Sequence, residues 1–163
     1  MLEIIESQIP LHYLDMMKYT AMNTDAWHMR YPQNNPNKHL KMDIIDGKPH
    51  QPLLAGLLIF LYNKRSDLFT PEVTYCGISI KDRHRLDNPH TDHDKDLGHI
   101  KIFGLLNSDW GSMDGGLFFH GDEAIPMVPG TFVVFDPRIT HSASEITTDK
   151  QRLGIDFTVP KKA

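Results

Sequence analysis

The sequence is poor in cysteine and contains no apolar run of membrane-spanning length. Its single cysteine, Cys76, excludes an intramolecular disulfide and a zinc site built from several thiolates. The longest apolar run, Leu53–Tyr62, is far shorter than the roughly 20 residues that a membrane-spanning helix needs. The N-terminal segment carries Glu3 and Glu6 but no basic side chain, unlike a signal peptide. We therefore expect a cytoplasmic protein with no membrane partner.

Clustered positive charge is also missing. The chain has 17 Lys and Arg against 21 Asp and Glu, which gives a net charge of -4. Nucleic-acid binding depends on clustered Lys and Arg that neutralise phosphates, so we do not expect nucleic acid to be the main partner. With 163 residues, 40% of them hydrophobic and 23% charged, the chain has the size and composition of one globular domain.

Two parts with different patterning follow each other along the chain. In residues 1–72, apolar residues at helical spacing predict helices at about 10–22 and 51–64, and the Pro- and Asn-rich segment Tyr31–Pro49 predicts a long loop that contacts substrate. From residue 73 onward, short apolar runs separated by turn-forming residues are typical of a β sandwich or barrel. The predicted strands are Val73–Lys81, His99–Asn107, Gly116–His120, Thr131–Asp136 and Arg152–Val159. We therefore predict one domain, with helical support and a loop in 1–72 and a mostly β core in 73–163.

The last predicted strand has two faces of different chemistry. Because side chains alternate along a strand, one face is apolar throughout and carries Leu153, Ile155, Phe157 and Val159. The opposite face carries Arg152, Gly154, Asp156 and Thr158. If the apolar face packs on the predicted helices, a guanidinium and a carboxylate lie on the far side of the sheet. The alternation alone fits an ordinary amphipathic strand equally well.

The segment Lys81–Asn88 is a second predicted substrate contact. Lys81, Arg83 and Arg85 give it a local positive charge. That charge can receive an acidic substrate, or it can belong to a solvated strand end, which is the more frequent arrangement for such residues.

Four residues together indicate a metal centre: His90, Asp92, His141 and Arg152. An imidazole and a carboxylate two residues apart can point the same way from an extended segment, and a distant histidine would complete a face of two histidines and one carboxylate. Such a face is typical of non-haem Fe(II) oxygenases and leaves three octahedral positions open, enough for a bidentate keto acid and dioxygen. Arg152 supplies a cation whose geometry suits a carboxylate.

The position of this His-x-Asp pair in the sequence, more than the pair itself, identifies it as a candidate metal site. A second pair, His120 and Asp122, is followed by only 18 residues before His141, too few for the intervening strands, whereas 48 residues follow Asp92. A slip in strand register would make His93 or Asp94 face the metal, which makes His93 the main rival within this segment.

Several segments occur in an order that matches a known family. They are Asn88-Pro89-His90-Thr91-Asp92, then Leu105-Leu106-Asn107-Ser108-Asp109-Trp110 with Gly115-Gly116-Leu117-Phe118-Phe119, then Pro129–Phe135, and finally Arg152-Leu153-Gly154-Ile155-Asp156-Phe157. From about Val73 to Val159 the chain therefore resembles the Fe(II)- and 2-oxoglutarate-dependent oxygenases, in particular their prolyl 4-hydroxylase-like branch. The resemblance implies a double-stranded β-helix, or jelly roll, with supporting N-terminal helices.

The resemblance also implies a ligand set and a reaction. His90, Asp92 and His141 would hold Fe(II), and Arg152 would anchor the distal carboxylate of 2-oxoglutarate. Asn107 would either bind this cosubstrate or close a turn. The implied enzyme uses dioxygen to hydroxylate a peptidyl, first of all prolyl, or small-molecule substrate and releases succinate and CO2, with ascorbate as a candidate auxiliary reductant.

Two departures from the family pattern weaken the choice of proline as substrate. Prolyl hydroxylases often carry a tyrosine that helps to hold 2-oxoglutarate at the position of Leu105, so a second contact to the cosubstrate must come from elsewhere or be absent. The basic anchor is Arg152, where collagen-type enzymes carry lysine.

Two other functions stay open. An oxygenase that repairs alkylated nucleobases is disfavoured by the net acidity and by the lack of a second arginine in the last strand. A cupin-like metal-binding protein without oxygenase activity, or a degenerate interaction domain on the same scaffold, would not require Arg152 beside an intact triad.

Overall fold

In residues 1–6, 9–23 and 52–163, which the computed structural model describes, nine strands form two antiparallel sheets. A short 3-10 helix at Ser112–Asp114 lies between the fourth and fifth strands. The elements are, in chain order, β1 (Leu2–Glu6), α1 (Leu11–Met22), α2 (Pro52–Lys64), β2 (Tyr75–Lys81), β3 (Asp87–His90), β4 (His99–Leu105), β5 (Phe118–His120), β6 (Glu123–Ile125), β7 (Thr131–Phe135), β8 (His141–Ala143) and β9 (Arg152–Pro160).

The chain passes back and forth between the two sheets. The larger sheet has the order β1-β7-β4-β9-β2, and the smaller sheet has the order β3-β8-β5-β6. From β2 onward the chain therefore enters the smaller sheet for β3, returns for β4, crosses again for β5 and β6, and continues in this way to β9. Two antiparallel sheets joined by such crossings form a double-stranded β-helix, which confirms the predicted fold class.

Strand β9 lies inside the larger sheet, paired with β4 on one side and β2 on the other. Its alternate residues Leu153, Ile155, Phe157 and Val159 are buried in the main hydrophobic core together with residues of both helices. The predicted packing of this face on the helices is thus confirmed. The opposite face of β9 points toward the smaller sheet, and Arg152, Asp156 and Thr158 line a cavity there.

A second, smaller core closes part of the space between the sheets. It contains Leu105, Trp110, Phe118, Ile125, Met127, Val133, Phe135 and Ile146, with residues from both sheets. Phe118 and Phe135 also line the cavity. The wall of the cavity is therefore continuous with packed core on this side, which gives its polar residues a rigid support.

The structure differs from the sequence prediction in its shortest elements. Residues 1–72, predicted as helical support and loop, also contribute the edge strand β1, which pairs with β7. Strands β3, β6 and β8 have only three or four residues, too few for alternation to reveal them. The predicted loop Tyr31–Pro49 lies outside the described residues. Among the helices of the described part, none is long and apolar enough to cross a membrane.

Replacement of Gly115 by alanine tests how tightly the segments that connect the two sheets are packed. Its φ is +77°, and a Cβ there would lie 2.2 Å from the Glu145 carbonyl oxygen. Gly98 has a similar φ of +69° but no atom within 4 Å of its Cβ position. We expect Gly98→Ala to cost roughly 1 kcal/mol of unfolding free energy from the backbone alone, and Gly115→Ala to cost roughly 3 kcal/mol or more because a backbone clash is added. Urea unfolding measures both, and equal losses would contradict the packing described here.

Candidate metal centre and anion pocket

Strand pairing in the smaller sheet brings two histidines together. β3 and β8 are antiparallel, and His90 lies directly opposite His141, with ring centroids 4.4 Å apart. Asp92 follows two residues after His90, and its backbone N–H donates to the Pro137 carbonyl at 2.9 Å. That bond ties the carboxylate-bearing turn to the segment that leads into β8.

The three side chains converge on one point. His90 Nε2 lies 3.6 Å from Asp92 Oδ1, and His141 Nε2 lies 3.4 Å from Asp92 Oδ2. One ligand atom from each of the three residues lies within 4.8 Å of the other two. Ligand atoms at neighbouring positions of an octahedral first-row metal ion are about 3 Å apart, so small rotations of the side chains would bring the three atoms to bonding positions.

The same kind of contact, from Nδ1 to a nearby backbone carbonyl, orients both histidines. His90 Nδ1 lies 2.7 Å from the carbonyl oxygen of Asn88, and His141 Nδ1 lies 2.9 Å from that of Ile139, in each case two residues earlier in the chain. Because a carbonyl oxygen only accepts, each Nδ1 carries a proton, and in the neutral imidazole Nε2 is then the atom that can bind a metal ion. Backbone carbonyls hold metal-binding histidines in this tautomer in many proteins.

Asp92 is held in its ionised form. Burial would raise the pKa of its carboxyl, but the contact with the His141 ring and the ammonium of Lys101 outweigh burial and hold the pKa well below its ordinary value. Lys101 Nζ lies 2.9 Å from Asp92 Oδ2. Two neutral imidazoles and one carboxylate are the donor set of a non-haem Fe(II) site, so the residues present fit this metal. His141 is only 7% exposed, whereas the His90 side chain is 48% exposed, which leaves one side of the triad open to the cavity.

The cavity beside the triad is formed by the inner faces of both sheets. Its volume of about 690 Å³ is within the usual range for small-molecule sites. His90, Asp92 and His141 line it, and so does Arg152. The structure therefore brings the four predicted residues to a single cavity.

Arg152 is buried in a manner that calls for an anion. The residue is 2% exposed, and its Nε and Nη2 atoms have no hydrogen-bond partner in the structure. The guanidinium carbon lies 5.3 Å from the centre of the Phe103 ring. Burial lowers the pKa of Arg152 to about 10, against an opposing effect of Asp87, so the side chain stays charged at neutral pH. A buried guanidinium with unused donors matches a carboxylate ligand in charge and geometry.

Asn107 does not reach the cavity. Its Nδ2 donates to the Gln151 carbonyl at 2.8 Å, and its Oδ1 accepts from the Leu153 N–H at 2.7 Å. Both ends of the amide therefore bond to the backbone around the start of β9, and the geometry favours the structural alternative over cosubstrate binding. Leu105 is fully buried in the smaller core, so it offers nothing in place of the family tyrosine.

The neighbouring histidines lie around the triad without joining it. His93 and His99 line the cavity, while His84 pairs with Glu145 at the surface. His120 lies opposite His141 in the β5–β8 pair, but Asp122 falls in the exposed turn after β5. Among the described residues, it is Asp92 and not Asp122 that lies close to both His90 and His141.

One charged residue of the cavity, Lys101, was missed by sequence reasoning, whereas Lys81 and Asp87 belong to the segment predicted to contact substrate. Lys101 lies against Asp92, and Lys81 and Asp87 form an ion pair beside Arg152. For Lys81 the sequence leaves two alternatives, contact with an acidic substrate or a solvated strand end, and its exposure of 9% contradicts the solvated one. The alternation along β2 distinguishes these alternatives, because Lys81 lies on the same face of the strand as Tyr75, Gly77 and Ser79, and this face lines the cavity.

Comparison with known proteins supports the fold. No protein-family model matches the sequence, and no curated protein matches it. A prolyl-4-hydroxylase from Pseudomonas putida superposes with a TM-score of 0.71 at 15% identity, over 99% of this chain and 93% of its own. The viral collagen prolyl hydroxylase of Paramecium Bursaria Chlorella virus-1, solved with 2-oxoglutarate, gives 0.67 at 12% identity, over 99% and 96%. HygX from Streptomyces hygroscopicus, solved with nickel and 2-oxoglutarate, gives 0.72 at 11% identity, over 98% and 82%.

At these identities the superpositions establish the fold. The chain has the double-stranded β-helix of the Fe(II)- and 2-oxoglutarate-dependent oxygenases, and prolyl hydroxylases are among the structures that match it. The resemblance inferred from the sequence is thus confirmed for the architecture. The ligand roles of the individual side chains remain predictions.

Removal of a triad side chain tests those roles. We expect Asp92→Asn and His141→Ala to weaken Mn(II) binding by about 100-fold or more, because loss of even an outer-shell partner commonly costs 10–100-fold. His93→Ala is the matched control, since His93 lines the same cavity and should leave the affinity little changed. Electron paramagnetic resonance of free Mn(II) measures all of these affinities. A large loss in His93→Ala with none in His141→Ala would contradict the assignment.

The lowered pKa of Asp87 predicts how the stability of the protein depends on pH. Burial would raise the pKa of its carboxyl, but the charge and hydrogen bond of Lys81, with Arg85, lower the pKa to about 2. An aspartate in the unfolded chain titrates near pH 3.9. The ionised carboxylate therefore contributes about 2 kcal/mol of stability above about pH 4, which is lost as the pH falls toward 2.

The measurement compares the unfolding free energies of wild type and Asp87→Asn between pH 2 and pH 6. The difference should be largest above pH 5 and should shrink as the pH approaches 2. Asp149→Asn is the control, because the Asp149 side chain is 88% exposed in a surface pair with Arg83 and should show little difference at any pH. A gap between wild type and Asp87→Asn that does not change with pH would contradict the pKa of Asp87.

Proposed function

We propose that this chain is an Fe(II)- and 2-oxoglutarate-dependent oxygenase. The observation that supports this most directly is the shared cavity, in which a triad of two histidines and one carboxylate faces a buried guanidinium with unused donors. A metal-binding scaffold without activity would need the triad alone. The additional burial of Arg152, which costs free energy without an anion, is explained by a cosubstrate that carries a second carboxylate.

The residues have separate tasks in this proposal. His90, Asp92 and His141 hold the metal through Nε2, a carboxylate oxygen and Nε2, and Arg152 binds the distal carboxylate of 2-oxoglutarate. When bound, Fe(II) and 2-oxoglutarate supply the activation of dioxygen that hydroxylates a substrate C–H bond, with release of succinate and CO2. The protein contributes orientation and electrostatics to that chemistry.

The apolar walls of the cavity have a role in the same reaction. The rings of Phe103, Phe118 and Phe135 line the cavity between the triad and the smaller core. They present no hydrogen-bonding group to the cosubstrate, so they restrict water around it and strengthen the ion pair that Arg152 would form.

For the substrate we propose a peptide or a small molecule, with prolyl hydroxylation as the first candidate. Support comes from the range of structures that match the fold, which includes a Trichoplax adhaerens prolyl hydroxylase in complex with a hypoxia inducible factor peptide and HygX with hygromycin B. Nucleobases stay in the screen as a competing class. Tight oligonucleotide binding with a steep dependence on salt would favour them.

The activity is tested by succinate formation from 2-oxoglutarate in a screen of peptides, free amino acids and nucleobases. We expect succinate only when Fe(II), 2-oxoglutarate and dioxygen are all present. In the absence of dioxygen, Fe(II) and 2-oxoglutarate together should give a weak visible charge-transfer band. A protein that binds Fe(II) but forms neither the band nor succinate would be a metal-binding scaffold, and the proposal would be wrong.

Replacement of the guanidinium tests the cosubstrate anchor. We expect Arg152→Met to weaken 2-oxoglutarate binding by about 30-fold or more, since removal of one partner of a buried charge pair costs about 2 kcal/mol at the least. Lys150→Met is the matched control. Lys150 Nζ bonds to Asp114 and to the Asp109 carbonyl, outside the cavity, so its loss should leave 2-oxoglutarate binding intact. Equal affinities in wild type and Arg152→Met would show that the cosubstrate binds elsewhere.

A further inference from the structure

Beside Arg152, the proposed anchor of the cosubstrate, the cavity contains a second positively charged side chain. Lys81 lies directly opposite Arg152 in the β2–β9 pair, and both side chains line the cavity although both are buried. Like charges at directly opposed positions of a sheet destabilise it. Burial lowers the pKa of Lys81, Asp87 opposes that shift, and Arg152 adds to it. This pair of cations therefore needs a compensating anion.

Asp87 supplies negative charge, but its carboxylate is hydrogen-bonded to Lys81 and Arg85 and not to Arg152. Its Oδ2 accepts from Lys81 Nζ. Its Oδ1 lies 3.2 Å from Arg85 Nε and 3.2 Å from Arg85 Nη2. Both carboxylate oxygens are thus occupied, while Nε and Nη2 of Arg152 are without a hydrogen-bond partner and no ion pair joins Arg152 to Asp87. Asp87 lines the same cavity, as do Asp92 and Asp156, and Asp87 is the carboxylate whose charge acts on Arg152, so it is in a position to compete for the guanidinium.

We propose that Lys81 and Arg85 are positioning residues that hold Asp87 away from Arg152 and so keep the guanidinium available for the distal carboxylate of the cosubstrate. This rests on the proposed function, because it takes a 2-oxo dicarboxylate as the ligand. Lys81 then acts through Asp87 and makes no contact of its own with the ligand.

The physical reason lies in the charge of a partly buried carboxylate that loses one of its two partners. If Lys81 is removed, Asp87 keeps Arg85 on Oδ1 but loses the partner of Oδ2, so part of its charge is left uncompensated. The nearest way to recover that loss is an ion pair with Arg152. A carboxylate tethered inside the same cavity has a high effective concentration, so it would compete strongly with a free dicarboxylate.

The test is a double-mutant cycle of Lys81→Met and Asp87→Asn on the Mn(II)-loaded full chain. Calorimetric titration with 2-oxoglutarate gives the affinity of wild type, both single variants and the double variant. We expect Lys81→Met to weaken binding at least 10-fold, Asp87→Asn to bind at least as tightly as wild type, and the double variant to recover wild-type affinity. Lys150→Met, which breaks a different Lys–Asp pair, is the control and should bind as wild type does.

A second ligand separates positioning from general damage to the fold. Pyruvate carries the 2-oxo acid group but no distal carboxylate, so its binding to the Mn(II)-loaded protein should be equal in all the variants. A purely structural defect in Lys81→Met would weaken the binding of pyruvate and of Mn(II) as well, and that result would overturn the proposal.

The remaining outcomes also decide the question. An equal loss from Lys81→Met with and without Asp87 would make Lys81 a direct ligand of the cosubstrate and would overturn the positioning role. If Lys81→Met does not fold, the comparison of Asp87→Asn with the double variant suffices, because both lack the unpaired carboxylate: equal affinity supports the proposal, and a further 10-fold loss overturns it. Absence of 2-oxoglutarate binding in wild type would instead refute the proposed function, and this inference with it.

Discussion

Strand β9 determines the organisation of this protein, because its two faces have opposite chemistry and both are buried. One face packs into the main core against the helices, and the other contributes Arg152 and Asp156 to the cavity. A strand with water on its polar face would gain nothing from a guanidinium in a fixed place. Here a second sheet covers that face, so every polar side chain on it is held in a confined space of low polarity, where charge interactions are strong.

Confinement explains how the metal centre and the anion pocket support each other. The triad lies on the smaller sheet and in the turn after β3, whereas the guanidinium lies on the larger sheet. A ligand that reaches both must span the gap between the sheets, and a short dicarboxylate with a metal-binding keto acid at one end has that character. Lys81 and Asp87 set the charge at the far end of this path, and Lys101 sets it beside Asp92. The strand pairing therefore fixes the charge pattern of the cavity.

Sequence reasoning located the chemistry more reliably than the short strands that carry it. The alternation in β9 was long enough to assign Arg152 to the face away from the core, and the spacing between Asp92 and His141 was long enough to require intervening strands. Strands β3 and β8, which bring His90 opposite His141, are too short for any periodicity to show. Their existence depends on pairing between distant segments, which a local pattern does not contain.

The two residues for which the sequence leaves alternatives open, Lys81 and Asn107, share one physical feature. Lys81 and Asn107 are polar residues at strand ends, and their surroundings are set by a strand far away in the sequence. Lys81 is buried because β9 and the smaller sheet cover it, and Asn107 bonds to the backbone at the start of β9. The local sequence pattern around a polar residue at a strand end is the same whether its side chain contacts water, the backbone or a ligand. Only the register of β9 against its neighbours distinguishes these cases.

A metal ion and a dicarboxylate should occupy this one cavity at the same time, and a crystal structure grown without dioxygen in the presence of Mn(II) and 2-oxoglutarate tests this most directly. It should show the metal bound by His90 Nε2, Asp92 and His141 Nε2, and a carboxylate of the same 2-oxoglutarate molecule paired with Arg152. Density for the metal away from the triad, or for the dicarboxylate away from Arg152, would contradict the account.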